Sequence, residues 1–590
     1  MQADPRHSVG PHSENILYFG DNLDVLRKHV KDDSADLIYL DPPFKSNQDY
    51  NVLFADRSGT KSAAQIQAFE DTWTWDESAQ KAFYDTTEAE NADEGARRAL
   101  LAFRTLFGRN NDMLAYLSMM APRLVELKRV LKNSGSLYLH CDPTASHYLK
   151  ILMDSVFGGE NFHNDLIWKR TSAHSSARKY APVHDSLLFY TMSSDFYWND
   201  PRTEYDQEYL DKYYKFDDGD GRLYWRADLC AAGVRHGSSG QVWRGIDPGA
   251  KGMHWKFGVE TLDRLDKEGR IYWPKGGTMP QYKRYREELK GKPVTDIWDD
   301  IDRINPVGSE RTGYPTQKPV DLLKRIIDAS CPENGLVLDP FCGCGTAIVA
   351  AEAMHRRWIG IDVTSIAITL VRSRLDDAFE GKAKYEVKGE PTHLEEARAL
   401  ATLSKESRFQ FQLWALGLVG ARPRAADFKK GADQGIDGRK VFHEKENGPS
   451  KTIIISVKSG EHVSVRDVRE LTSVVGREKA QIGALLTLAE PTRDMREEAL
   501  NAGYYQPEYR LSATERYHKI QILTIAELLE GKRIQAPIYR DASYVHPPLM
   551  IPLRAERKGR VRKLSESLEG PMSGKQGPAG TNDSNQGLAE

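Results

Sequence analysis

GLVLDPFCGCGTAIVAAEAMHRRWIGID, residues 335–362, is the stretch whose reading decides the fold. Leu336 to Leu338 read as a strand, Phe341-Cys342-Gly343-Cys344-Gly345 as a tight glycine loop and Thr346 to His355 as an Ala-rich helix. Trp358 to Ile361 is the next strand, with Asp362 at its end. This is a βαβ unit: the glycines let the backbone approach a ligand closely, and an acid about 20 positions on can hold a ribose. Ala347 and Ile348 break the dinucleotide spacing G-x-G-x-x-G, and the Lys-Ser/Thr pair of a P-loop is missing. The expected fold is α/β, and the expected ligand is a nucleoside without phosphates.

A second stretch lies roughly 300 residues earlier: Asp-Leu-Ile-Tyr-Leu-Asp-Pro-Pro-Phe, residues 36–44. Leu37 to Leu40 read as a short buried strand ending at Asp41, and Pro42 and Pro43 forbid a helix or ladder from continuing. A carboxylate, exposed proline carbonyls and the flat ring of Phe44 suit a planar ring carrying an exocyclic amine. The amine donates to Asp41 and a proline carbonyl, while the ring stacks on Phe44. An Asp-Pro turn at a strand end is the competing reading.

D-P-P-F together with D-P-F-x-G-x-G resembles the DNA amino-methyltransferases that use S-adenosylmethionine. The order of the two motifs, catalytic first, is similar to the β group, whose two halves are circularly permuted. The resemblance covers about residues 15–380. It implies a base flipped from double-stranded DNA, adenine ahead of cytosine, with Asp41, Pro42, Pro43 and Phe44 as the catalytic motif. It implies a cofactor site built from Asp339, Phe341, Gly343, Gly345 and Thr346, with Asp362 on the ribose. Thr316-Gln317-Lys318-Pro319 resembles the P-T-Q-K-P segment that lies against the cofactor, placing Thr316, Gln317 and Lys318 at its methionine end. Asp21, after the strand Ile16 to Phe19, serves either the cofactor's adenine or the N-cap of the following helix.

Around these motifs, Lys45 to Asn110 reads as a partly helical insertion, in which Trp73 and Trp75 contact substrate or pack a lid. Leu117, Met120, Leu124, Leu127 and Leu131 recur at helical spacing, and Gly135 closes that helix. Ser136 to His140 form the next strand, with His140 read as structural, since methyl transfer requires no histidine. Asp165 to Trp168 and Ser186 to Tyr190 read as an antiparallel pair at the sheet edge. Lys169, Arg170, Arg178, Lys179 and His184 form a basic loop, suited to phosphates or merely solvated. From Asp195 to Ile304 lie six of the eleven tryptophans (Trp198, Trp225, Trp243, Trp255, Trp273, Trp298), among Lys283, Arg284 and Arg286. The resemblance makes this a target-recognition region; a small Trp-centred core is the plainer reading.

After a charged linker, Arg408 to Val419 read as a helix; Gly431 to Gly438 follow, with the acid Asp437 on one strand, and Thr452 to Lys458 read as the next, β-branched strand. Asp437 and Lys458, 21 residues apart, are spaced as metal-dependent nucleases place an ion ligand beside a base. The stretch resembles the Mrr-type restriction-endonuclease fold, implying Mg2+ at Asp437. The usual Glu or Gln two before the lysine is Ser456, a poorer ligand, so cleavage and a fold kept for binding both stand.

The chain of 590 residues is 40% hydrophobic with net charge −3, so nucleic-acid affinity must come from local patches. Its five cysteines, Cys141, Cys230, Cys331, Cys342 and Cys344, read as fillers in a reducing cytoplasm rather than zinc ligands. No apolar run is long enough to span a membrane. The expected architecture is a Rossmann-like methyltransferase mixed sheet with an inserted recognition region, plus a smaller α/β restriction-endonuclease-like domain. Its boundaries are a tail at 1–14, halves at 15–194 and 306–385 around the insertion 195–305, a linker at 386–403, the second domain at 404–540 and a basic, largely disordered tail at 541–590, where Arg554, Arg557, Lys558, Arg560, Arg562 and Lys563 cluster. A homodimer or a restriction-system subunit is the expected protein partner. Three functions follow: a DNA methyltransferase with an auxiliary domain, a bifunctional modification and restriction enzyme, or a binding module with dead sites.

Overall fold

One carboxylate staples the two halves of the chain together. Asp36 Oδ2 accepts the Leu336 N–H at 2.8 Å across 300 residues, and Lys132 Nζ donates to both Asp36 oxygens at 2.8 Å. Asp36 is buried, and an isolated buried charge is costly, so amide and ammonium are needed together. The computed structural model describes residues 15–43, 75–108, 111–171, 180–276, 279–304, 310, 312, 314, 317–402, 405–421, 435–445, 448–508, 515–538 and 540–541.

The first part supplies strands β1 (Ile16–Phe19), β2 (Ala35–Leu40), β3 (Leu131–Cys141), β4 (Phe162–Lys169) and β5 (His184–Thr191). The insertion adds β6 (Arg202–Thr203), β7 (Tyr224–Asp228), β8 (Cys230–Ala232), β9 (Met253–Trp255), β10 (Ile271–Tyr272), β11 (Gln281–Tyr285), β12 (Lys292–Pro293) and β13 (Ile297–Trp298). The part after the insertion follows with β14 (Leu336–Asp339), β15 (Arg357–Asp362) and β16 (Glu386–Lys388). The main sheet runs β13-β4-β5-β3-β2-β14-β15-β1-β16. Neighbours are parallel except where β5 meets β3 and β4. This is the Rossmann-like mixed sheet. The carboxyl ends of β1, β2, β3, β14 and β15 therefore share one edge, where ligands of open α/β sheets bind.

Helices α1 (Asn22–His29), α2 (Asp112–Val130), α3 (Val320–Ser330), α4 (Thr346–Ala353) and α5 (Ser365–Phe379) pack around this sheet. Leu117, Met120, Leu124 and Leu127 of α2 are fully buried, the stripe their spacing predicts. Each such leucine contributes about 1.5–3 kcal/mol on burial. Leu131, expected on that helix, instead opens β3, and Gly135 lies inside the strand. The antiparallel pair β4–β5 forms as expected, but β13 pairs outside β4 and takes the edge position. A two-residue strand carries no readable periodicity.

The insertion folds around Leu229, Trp243, Trp255, Leu262, Leu265 and Ile271. Trp243, Trp255 and Trp298 are buried, whereas Trp198 and Trp273 are exposed. Trp243 and Trp255 belong to this small core, whereas Trp298 is buried on β13 at the edge of the main sheet.

The C-terminal part carries α6 (Lys405–Leu418), β17 (Gly438–His443), β18 (Lys451–Lys458), α7 (Val465–Arg477), β19 (Ile482–Thr487), β20 (Ile520–Thr524) and β21 (Arg540–Asp541). Its sheet runs β20-β19-β18-β17-β21. Ile453 and Ile455 face one core cluster and Ile454 the other, so β18 reads as an unbroken apolar run because both faces are covered. Among the described residues no helix is long and apolar enough to cross a membrane.

Candidate active site

Asp41 follows β2 directly, and Pro42 and Pro43 continue without regular structure. Lys318 Nζ lies 2.6 Å from Asp41 Oδ2, with the two side chains 9% and 17% exposed. Lys318, expected at the cofactor's methionine end, thus places its ammonium on the Asp41 carboxylate. Phe44, Thr316, Trp73, Arg178 and Lys179 lie outside the described residues. Trp75 meets Phe83 edge-on, with ring centroids 5.7 Å apart, on the core side of the two roles considered for it.

A buried chain of polar groups runs beneath Asp41. Tyr39 Oη and His140 Nδ1 are 2.9 Å apart, His140 Nε2 and Asp185 Oδ2 are 3.2 Å apart, and Arg170 Nε lies 2.9 Å from Asp185 Oδ1. Burial, aided by the Lys318 charge, pushes the His140 imidazole down. Burial alone would raise Asp185, but the His140 hydrogen bond and nearby cations hold it below the usual carboxylate range. His140, fully buried between Tyr39 and Asp185, braces the strand that ends at Asp41.

The glycine loop turns through left-handed backbone at Gly343 (φ 47°) and Gly345 (φ 73°). A Cβ at Gly343 would stand 3.2 Å from the Tyr314 ring, and one at Gly345 would stand 2.7 Å from Val371. Both positions therefore need glycine for conformation and for space. Asp362 clasps the loop: Oδ2 accepts the Gly343 N–H at 2.9 Å, and Oδ1 accepts the Thr364 amide and hydroxyl at 2.8 Å. Asp339 Oδ1 accepts the Phe341 N–H at 3.1 Å. Burial pushes the Asp339 carboxyl well above the usual range, with the Phe341 amide opposing and the Asp41 and Asp362 charges adding. Burial raises Asp362 as well, against the Thr364 and Gly343 donors. Thr346 is buried and receives Arg374 Nη1 at 3.2 Å. Gln317 braces its own segment, accepting from the Thr312 amide and hydroxyl at 2.7 Å and donating to the Glu310 carbonyl at 2.7 Å.

Asp21 caps α1, accepting from Leu23 N at 2.9 Å, and its other oxygen takes Arg123 Nη2 at 2.6 Å. The next residue, Asn22, reaches the cofactor motif itself, donating to the Pro340 carbonyl at 2.8 Å. Asn22 and Tyr314 escape the sequence reading. For Asn22 the available signal is the polar pair after a strand; for Tyr314 it is an aromatic ahead of P-T-Q-K-P.

These residues fit S-adenosylmethionine. The two glycines clear the backbone, Phe341 offers a partly buried ring, and the side-chain oxygens of Asp339 and Asp362 lie against the loop.

The three residues considered for nuclease chemistry lie on β18 or against it, the Asp437 amide donating to the Ile455 carbonyl at 2.9 Å. Asp437 accepts from the Val457 N–H at 2.5 Å and from the Gln412 side-chain amide. Ser456 is buried on β18, and Lys458 Nζ lies 3.4 Å from Asp467 Oδ1. Among the described residues no group of three His, Cys, Asp or Glu side chains is placed to hold a metal ion. Mg2+ does not fit Asp437 as it stands.

The profile of the N6_N4_Mtase family, described as DNA methylase, matches residues 35–372, more than half of the chain. The chain belongs to this DNA methylase family. The methylase is 32% identical over 363 residues to the type II methyltransferase M.EcaI of Enterobacter cloacae, a match covering 61% of this chain and 69% of that protein. It is 26% identical to the StyLTI Mod subunit of a type III restriction-modification enzyme from Salmonella typhimurium, covering 63% of this chain and 55% of that one. The EcoP15I Mod subunit of Escherichia coli matches at 24% identity, covering 57% and 55%. The methylase thus spans just over half of each Mod subunit. Among solved structures, PvuII DNA methyltransferase (cytosine-N4-specific) aligns at 12% identity and TM-score 0.30, over 61% of this chain and 85% of that one. Residues 424–530 of the methylase match a second profile, NACHT-associated inactive Restriction Endonuclease 1.

Proposed function

We propose that this methylase transfers the methyl group of S-adenosylmethionine to the N6 amine of an adenine extruded from double-stranded DNA. One observation carries the reading: Asp41 and the glycine loop stand at the ends of neighbouring parallel strands, β2 and β14. Asp41 and the Pro42 carbonyl accept hydrogen bonds from the amine, turning its lone pair out of conjugation. Phe44 stacks on the base, and extrusion costs a few kcal/mol. Phe341, Gly343, Gly345 and Thr346 hold the methionine and sugar portions of the cofactor, with Asp339 beneath them and Asp362 on the ribose hydroxyls. Thr316 and Gln317 flank the methionine end and Asp21 the adenine end. When bound, the cofactor supplies an electrophilic methyl carbon on a sulfonium. These residues would hold the amine in line with that carbon as its bond to sulfur breaks, so orientation and electrostatics would supply the acceleration, with no covalent enzyme intermediate.

The D-P-P-F motif favours adenine; N4 of cytosine is the alternative. The motif order supports a β-group, permuted arrangement. The Mod-subunit relatives support a cytoplasmic restriction system as the setting, with a partner subunit or a second copy of the chain. For the C-terminal domain we read a non-cleaving role over a bifunctional enzyme, because Asp437 is consumed by Val457 and Gln412. Modification-sensitive sequencing of DNA from expressing cells tests the proposal. N6-methyladenine at a defined site supports it, and N4-methylcytosine would reverse the base assignment. In Asp41→Ala, methylation should vanish while cofactor binding survives.

A further inference from the structure

We propose that a cleft in the inserted region, walled by Arg202, Arg284 and Lys290, seats a backbone phosphate of duplex DNA. The inference rests on the methylase reading and adds where the duplex is gripped. Residues 195–304 hold nineteen Lys and Arg against twenty-one Asp and Glu, so the region as a whole does not attract a polyanion. Only a local arrangement can.

Several of its cations are neutralised internally, most of them around the β7–β11 strands. Arg222 pairs with Glu287, Arg270 with Glu288, Lys283 with Asp218 and Arg244 with Asp266. Arg226 lies between the Phe216 and Tyr272 rings, 3.7 Å from each centroid. Arg284 and Lys290 form no ion pair among the described residues, and both line one cleft of about 330 Å3 with Arg202. Arg202 is balanced by Asp200 and donates to the Gly291 carbonyl at 3.3 Å, which fixes its guanidinium on the cleft wall. Glu288 also lines the cleft, but its charge is met by Arg270. Two uncompensated cations remain.

The wall beside them is aromatic. Arg284 is in register with Trp225 on β7. From Trp225 the rings continue through Tyr213, Tyr209 and Tyr205 at centroid spacings of 5.3, 4.8 and 5.2 Å, and Tyr205 lines the cleft. An arginine and a lysine against stacked rings form a seat for a phosphodiester with a sugar or base edge beside it.

The test is binding of a fluorescein-labelled mixed-sequence duplex by the full chain across a salt series. Wild type is compared with Arg284→Gln/Lys290→Gln and with Lys251→Gln/Lys267→Gln, a control removing two exposed cations elsewhere in the insertion. Loss of two phosphate contacts should make the slope of log affinity against log salt shallower by about two. Affinity at low salt should drop at least tenfold, while calorimetric S-adenosylmethionine binding is unchanged. The control should match wild type. An unaltered slope in the cleft variant overturns the proposal, as does an equal loss in the control. Competition with inorganic phosphate and with AMP forms a second arm. If either binds wild type and not the cleft variant while duplex binding is intact, the cleft takes a free phosphate ligand and the proposal fails. If wild type binds no duplex at all, the methylase reading itself falls.

Discussion

Lys318 Nζ and Asp41 Oδ2, 2.6 Å apart and 277 residues distant in sequence, join the cofactor-side segment to the catalytic loop. A lysine in that segment is expected to touch the cofactor. Here it fixes the orientation of the carboxylate proposed to receive the target amine. Lys318→Met should therefore lower kcat by on the order of 10²-fold, as expected when a preorganised charge is removed. The Kd for S-adenosylmethionine should hold, and Lys318→Arg should recover part of the rate. A raised cofactor Kd with normal kcat at saturation would return Lys318 to the cofactor.

Asp339 is an acid whose burial favours its protonated form. Its folded-state pKa lies above the unfolded value of about 4. The stability linked to it is complete below that pH and is lost as pH climbs towards the folded value. Asp339→Asn keeps an oxygen for the Phe341 amide and removes the loss. At pH 8 the variant should melt higher, with a gain of about 1 kcal/mol read as roughly 2–4 °C, and the gap should close near pH 4. A lower Tm at pH 8 would show that the carboxylate is not burdened by burial.

The parts of this site that sequence exposes are those set within a few residues. An apolar run halting at an acid marks a strand end, as at Leu40–Asp41, Leu338–Asp339 and Ile361–Asp362, and paired glycines mark the loop between strand and helix. What it hides are pairings across hundreds of residues. Nothing near Asp36 announces that it caps Leu336, and nothing near Asp437 announces Gln412. Asp21 and Asn22 illustrate the limit at short range. Both are polar after the same strand, and only the packing of Arg123 against them decides which one faces Pro340.

His140 lies buried between Tyr39 and Asp185. Its folded pKa is depressed by burial and by Lys318, so its stability is complete above the unfolded value of about 6.5. That stability is lost as pH falls through the folded pKa. His140→Gln should cost about 1–3 kcal/mol at neutral pH through imperfect buried hydrogen bonds. It should also flatten the decline in Tm between neutral and mildly acidic pH. A decline as steep as wild type would assign the acid sensitivity to another group.

Asp437 is the acid that the sequence spacing suggests as a metal ligand, yet its oxygens already serve Val457 and Gln412. Removing the carboxylate should therefore act on stability. Asp437→Ala leaves the Val457 N–H without its acceptor, a cost of about 1–3 kcal/mol, seen as a lower Tm for the C-terminal transition. Methylation rate should be unchanged in this variant and in Lys458→Ala. Unmethylated DNA incubated with wild type and Mg2+ should stay intact. Cleavage that disappears in Lys458→Ala would mean that Gln412 withdraws when DNA and metal arrive, and would establish the bifunctional enzyme in place of the non-cleaving domain.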